Sequence, residues 1–200
     1  MMRIITGKAR GVRLETLAGD ATRPTSERAK EAVFSMLQFS LEGRRVLDLF
    51  AGSGQMGLEA VSRGAAKAVL VDASRDAIGV ITRNAERTKL KEAVDIVRSE
   101  AEGFLASRKA EPFHLVFLDP PYAAGFLPKI LSLLLSRGWL TTGALIVAEA
   151  AEKADVFGGD DALAKRFDVL KESRYGAAYI MILKEKEVCV LLSFQVASTR

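Results

Sequence analysis

Gly52-Ser53-Gly54-Gln55-Met56-Gly57 sets three glycines in GxGxxG spacing between an apolar run, Val46-Leu47-Asp48-Leu49-Phe50, and a helix-spaced segment, Leu58 to Arg63. Asp72 lies twenty residues beyond Gly52, closing the next apolar run, Ala68-Val69-Leu70-Val71. Strand, glycine turn, helix, strand and terminal acid describe a βαβ unit. Its backbone can approach a ligand closely, and its acid can accept hydrogen bonds from ribose hydroxyls. A nicotinamide dinucleotide and S-adenosylmethionine both need such a unit.

The alternation continues. The spacing predicts a helix over 74–90, a strand near 94–97, a short helix over 101–107 and a strand over 115–118. A leucine-rich helix around 127–135, a strand over 144–148 and two late strands near 167–172 and 179–183 follow. About seven strands, mainly parallel, with helices on both faces make a Rossmann-like α/β fold. Ahead of it, Arg3 to Thr6 and Val12 to Thr16 read as two short strands around the turn Gly7-Lys8-Ala9-Arg10-Gly11, and Ala29, Ala32, Val33, Met36 and Leu37 line one helical face. The expected organisation is an N-terminal hairpin and helix over 1–43, the α/β domain over 44–184, and a tail over 185–200 with no assigned role.

With 200 residues, 49% of them apolar, the chain can bury one core and a small appendage. Apolar stretches such as Leu133 to Leu135 and Val188 to Leu192 fall far short of the roughly 18 residues of a bilayer span. The first residues lack a signal-peptide core, so the expectation is a cytoplasmic protein with no membrane partner. One cysteine, Cys189, and one histidine, His114, exclude an intrachain disulfide and a Cys/His metal cluster, so no metal is expected. Cys189 and Trp139 read as packing residues, and His114 as a strand-entry residue.

The net charge of +4 sits entirely in residues 1–45, with nine basic and five acidic side chains; the remainder balances. Arg3, Lys8, Arg10 and Arg13 precede the first acid, which suits phosphate neutralisation.

Two further groups narrow the chemistry. Asp48, inside the first strand and four residues before Gly52, adds a negative charge that a pyrophosphate site would ordinarily avoid. A sulfonium ligand with an α-amino group would welcome it. Glu100, in Ser99-Glu100-Ala101 after the third strand, is placed to reach an adenine amine. Directly after 115–118 comes Asp119-Pro120-Pro121-Tyr122, where consecutive prolines end the ladder and hold the backbone extended.

Asp48-Leu49-Phe50-Ala51-Gly52-Ser53-Gly54 resembles the glycine-rich motif of class I methyltransferases, and Asp119 to Tyr122 resembles the catalytic tetrapeptide of amino-methyltransferases. In those enzymes the target amine donates to the first side chain and to the first proline's carbonyl, while the aromatic ring stacks on the base. An aryl amine shares its lone pair with its ring, so in-plane acceptors favour its pyramidalisation toward the methyl group. A base must leave a helix or come from an unpaired loop to arrive there.

Over residues 2–184 the chain is similar to the bacterial small-subunit rRNA guanine-N2 methyltransferases, the RsmD family. Arg3 to Gly11, Arg23-Pro24-Thr25-Ser26-Glu27-Arg28, Gly57 to Ala65 and Tyr175-Gly176 add to the two motifs. The resemblance implies S-adenosylmethionine as cofactor, held by Arg23, Pro24, Thr25, Asp48, Phe50, Ala51, Gly52, Ser53, Gly54, Asp72, Ala73, Glu100 and Ala101. It implies catalysis at Asp119, Pro120, Pro121 and Tyr122. Arg3, Lys8, Arg10 and Arg13 would touch ribosomal RNA, naked or in an assembling small subunit, and a monomer is expected. Asp119 could accept from guanine N1–H and N2 together, yet similar tetrapeptides serve adenine enzymes, so adenine-N6 methylation stays open. An NAD-dependent oxidoreductase and a non-enzymatic RNA-binding module are the other readings. Cytosine C5 methylation is disfavoured because the core lacks its cysteine nucleophile.

Overall fold

The computed structural model describes residues 2–17, 24–37, 41–107, 111–121 and 125–186, and the side chains of 24–27 are outside that description. Seven strands form one sheet: β1 (Arg45–Asp48), β2 (Lys67–Asp72), β3 (Val94–Arg98), β4 (Phe113–Leu118), β5 (Leu140–Ala150), β6 (Phe167–Tyr175) and β7 (Ala178–Glu185). Their order is β3-β2-β1-β4-β5-β7-β6. The first five run parallel, β7 lies antiparallel to β5, and β6 closes the edge antiparallel to β7. The strand count and the mainly parallel sheet are those the alternation predicts.

Central strands are apolar along their length because both faces are covered; Val46 and Leu47, side by side on β1, are both fully buried. Edge strand β6 buries only its first residue, carries Lys171, Glu172 and Arg174, and is bulged between Val169 and Lys171. Charge and bulge are the usual protections of an open edge.

Helices α1 (Pro24–Leu37), α2 (Gln55–Ser62) and α3 (Arg75–Arg87) cover one face; α4 (Ala101–Ser107), α5 (Phe126–Ser136) and α6 (Asp161–Ala164) cover the other. Trp139 belongs to the second core. Its ring stacks at 5.2 Å from Phe104 and 6.0 Å from Phe113, and its Nε1–H donates to the Leu105 carbonyl at 3.1 Å. His114 enters β4 as expected, its Nδ1 accepting from the Arg45 N–H at 3.2 Å. Burial holds the imidazole below its ordinary pKa, and the neighbouring Arg44 adds to the effect.

The N-terminal pairing is shorter than the sequence predicts. Only Arg3 and Arg13 form an antiparallel bridge. The amides that would extend a ladder go elsewhere: Ile5 and Thr6 donate to the carboxylate of Glu59 on α2 at 2.7 and 3.0 Å, Lys8 donates to the Ser62 carbonyl and Ala9 to the Ser62 hydroxyl. Met2, Ile4, Ala9 and Leu14 are buried with α1 and α2 in the first core. The hairpin therefore roofs α2, whose residues from Gly57 to Ser62 are all buried. Gly7 meets the roof most closely, with φ at +87° and a position where a Cβ would lie 1.8 Å from the Ser62 oxygen.

Candidate active site

Strand order reverses between β1 and β4, and at such a switch point the loops leaving the carboxyl ends diverge and open a crevice. The chain leaving β1 is pinned to both neighbours: the Leu49 N–H donates to Phe117 on β4 and the Ala51 N–H to Val71 on β2. The glycine turn then closes with the Gly54 N–H on the Ala51 carbonyl, Gly54 at φ +77°. Gly52, at φ +53°, has nothing within 4 Å of where a Cβ would project. That open cradle is what close approach by a ligand requires.

Asp72 ends β2 with both carboxylate oxygens engaged by backbone. Oδ2 accepts the Gly52 N–H and Oδ1 the Ser74 N–H, each at 2.8 Å. A carboxylate offers about four lone-pair sites, so two acceptor directions remain for ribose hydroxyls. The Ser99 N–H donates to the Asp72 carbonyl and Arg98 Nε to the Ala73 carbonyl. These bonds bring the loop carrying exposed Glu100 and buried Ala101 beside Asp72 and Ala73.

Asp48 is buried at the end of β1, where its Oδ2 accepts the Gly57 N–H at 3.1 Å. Burial pushes its carboxyl up to about 7; the Gly57 bond opposes this and the neighbouring Asp72 charge adds to it. Asp48 thus fastens the first turn of α2 to β1 with a buried carboxyl whose ionised form a cation would stabilise.

Asp119 is exposed, Pro120 buried and Pro121 exposed at the end of β4, next to the end of β1. The half-buried rings of Phe50 and Phe126 meet edge to face at 6.4 Å, joining the loop after β1 to the start of α5. Arg23 and Tyr122 lie outside the described residues; Pro24 and Thr25 open α1, with side chains outside the description. Arg3, Lys8, Arg10 and Arg13 are exposed on the hairpin, whose Met2 sulfur accepts the Ser53 hydroxyl of the glycine turn at 3.1 Å. Among the described residues no group of three or more His, Cys, Asp or Glu could hold a metal ion, and no helix is long and apolar enough to cross a membrane.

Sequence reasoning missed Asn84. This buried α3 residue donates through Nδ2 to the Ser53 carbonyl and the Glu15 carbonyl, both at 2.9 Å, and its Oδ1 accepts the Glu15 N–H. It ties the glycine turn to the hairpin. A polar residue amid the buried positions of an amphipathic helix was its only signal.

The family model described as conserved hypothetical protein 95 matches residues 2–184. Ribosomal RNA small subunit methyltransferase D of Escherichia coli K12 is 40% identical over 149 residues, covering 74% of each chain. The protein of the same name in Haemophilus influenzae is 35% identical over 150 residues, covering 74% of this chain and 78% of its own. This chain belongs to that methyltransferase family. A solved Escherichia coli structure, provisionally described as the methyltransferase yhhF, superposes on it with a TM-score of 0.82. That structure is 34% identical, and the match covers 92% of this chain and 98% of the other. Membership makes the chain an rRNA methyltransferase with the class I fold, and the crevice between β1 and β4 is its candidate active site.

Proposed function

We propose that this chain transfers a methyl group from S-adenosylmethionine to the N2 amine of a guanine in small-subunit ribosomal RNA. The observation that carries the reading is the adjacency of two strand ends. Asp48 on β1 lies opposite Phe117 on β4 in the sheet, so the glycine turn and Asp119-Pro120-Pro121 leave neighbouring strands at one edge.

The donor's sulfonium supplies an already activated methyl group, so the chain's task is positioning. Asp72 would accept from the ribose, Glu100 from the adenine amine, and Asp48 would face the α-ammonium; Phe50, Ala51, Ser53, Ala73 and Ala101 shape the walls. The Asp119 carboxylate and the Pro120 carbonyl accept from the target amine and align its lone pair, and Tyr122 offers a stacking face worth about 1–3 kcal/mol. Arg23, Pro24 and Thr25 would contribute to holding the cofactor. Arg3, Lys8, Arg10 and Arg13 neutralise RNA phosphates. A cytoplasmic monomer acting on RNA or an assembling subunit is the setting that fits these roles.

A labelled methyl donor, offered with naked small-subunit rRNA and with assembled subunits, followed by nucleoside analysis, tests this directly. N2-methylguanosine is the expected product. Methyladenosine would move the assignment to the adenine amine, and no labelled nucleoside from either substrate would reject it.

A further inference from the structure

Arg3 and Arg13 face each other across the hairpin's bridge. The hydrogen bonds run between their neighbours, from the Ile4 N–H to Val12 and from the Leu14 N–H to Met2, so the pair is of the non-hydrogen-bonded kind, in which side chains stand closest. Met2, Ile4 and Leu14 turn into the core, which sends both arginines outward on one side, and both are exposed.

A third cation comes from the α/β core. Arg87, in the last turn of α3 and exposed, donates through Nη1 to the Arg13 carbonyl at 3.5 Å. Two residues on, exposed Lys89 holds φ at +58°, the left-handed site after a helix that glycine ordinarily fills. The nearby carboxylate, Glu15, is engaged by Arg83 through two bonds of 2.9 and 2.6 Å and attracts Arg87 only at longer range. Among the described residues no carboxylate lies within salt-bridge distance of Arg3, Arg13 or Arg87.

Like charges directly opposite on paired strands destabilise them, and a lysine in a left-handed cap is less favourable than glycine. The helix dipole favours cations at the end of α3 but does nothing for Arg3 against Arg13. A bound polyanion relieves all of these at once.

We propose that Arg3, Arg13, Arg87 and Lys89 form one phosphate-binding surface, continuous from the hairpin onto the C-terminal turn of α3, that grips the RNA backbone. The proposal rests on the hairpin being an RNA contact and extends that contact to the cofactor-binding domain itself. Helix α3 starts just after Asp72 and Ala73 and runs 13 residues to Arg87. At 1.5 Å per residue it sets the surface roughly 20 Å from the ribose-binding acid. The surface therefore holds phosphates flanking the target nucleotide, and one helix fixes their distance from the methyl donor.

Full-length R13Q, R87Q and K89Q are each titrated with transcribed small-subunit rRNA, and in parallel with assembled small subunits, at several potassium chloride concentrations. Each should bind about threefold to fivefold more weakly and flatten the slope of log affinity against log salt by about 0.7 to 0.9. S-adenosylmethionine affinity should stay at the wild-type value, and the melting temperature of RNA-free R13Q should not fall. Weakened RNA binding by R13Q alone, with R87Q and K89Q like wild type, overturns the extension and leaves the hairpin contact standing. Wild-type RNA binding by all three overturns both. Equal loss of RNA and cofactor binding by R87Q makes that residue structural and overturns the proposal. So does a loss seen only with assembled subunits, which would assign the surface to a ribosomal protein.

Discussion

Glu59 accepts the backbone N–H of Ile5 at 2.7 Å from a position on α2 that is wholly removed from solvent. The same carboxylate takes the Thr6 N–H, the Arg63 Nε at 2.7 Å, and an ion pair with buried Lys30 of α1 at 3.7 Å. Lys30 in turn donates to the Arg3 carbonyl at 2.8 Å. One buried acid thereby joins the hairpin, α1 and α2.

Replacing Glu59 by Ala should leave two amides without their acceptor and deprive Lys30 and Arg63 of their buried counter-charge, at a cost of about 3–5 kcal/mol of stability, as breaking a buried ion pair does. Urea unfolding measures it. A loss below about 1 kcal/mol would show that water replaces the carboxylate.

Gly7 to Ala should be disruptive for a separate reason: the new methyl would overlap the Ser62 carbonyl, in a left-handed backbone that alanine resists. We expect at least about 1 kcal/mol of destabilisation. We also expect faster proteolysis within residues 1–13, with the sheet intact by circular dichroism.

Asp48 links stability to pH. An exposed aspartate ionises near 3.8 and this one near 7, so between those values the folded chain keeps a proton that the unfolded chain has released. Stability from this group is therefore lost as pH rises from about 4 to 7 and is level above, a total on the order of 4 kcal/mol. The D48N variant lacks this loss. Its stability relative to wild type should climb across that window in urea unfolding at pH 4.5, 6 and 7.5, and a pH-independent difference would contradict the raised pKa.

Asp119 to Ala should lower kcat for methyl transfer by about 10²- to 10³-fold, the usual effect of removing a preorganised polar partner from a transition state. Calorimetry should find S-adenosylmethionine binding within about twofold of wild type. A cofactor affinity that falls in step with kcat would place Asp119 in the cofactor pocket instead.

Much of this architecture is legible in the sequence. The central strands announce themselves because burial on both faces demands unbroken apolar runs, and the glycine turn because only that spacing permits the path of residues 51–54. Asp72 and Asp119 follow from their place at strand ends. The hairpin's true pairing was not legible, because its amides are claimed by Glu59 and Ser62, more than fifty residues away in sequence. A glutamate three residues from the end of a short helix reads as a solvated charge. Only the roof laid over α2 makes it a buried one. Removing residues 1–13 would strip Met2 and Ile4 from the core. Charge substitutions are the cleaner probe of its RNA contact.

The roof also dictates an order of events during synthesis. The hairpin leaves the ribosome before its anchors on Glu59, Ser62 and Asn84, which lie 53 to 69 residues downstream. Closing loops of that length is entropically uphill until the helices exist. The hairpin therefore docks well after it emerges, and a strongly basic stretch waits undocked beside a particle made largely of RNA.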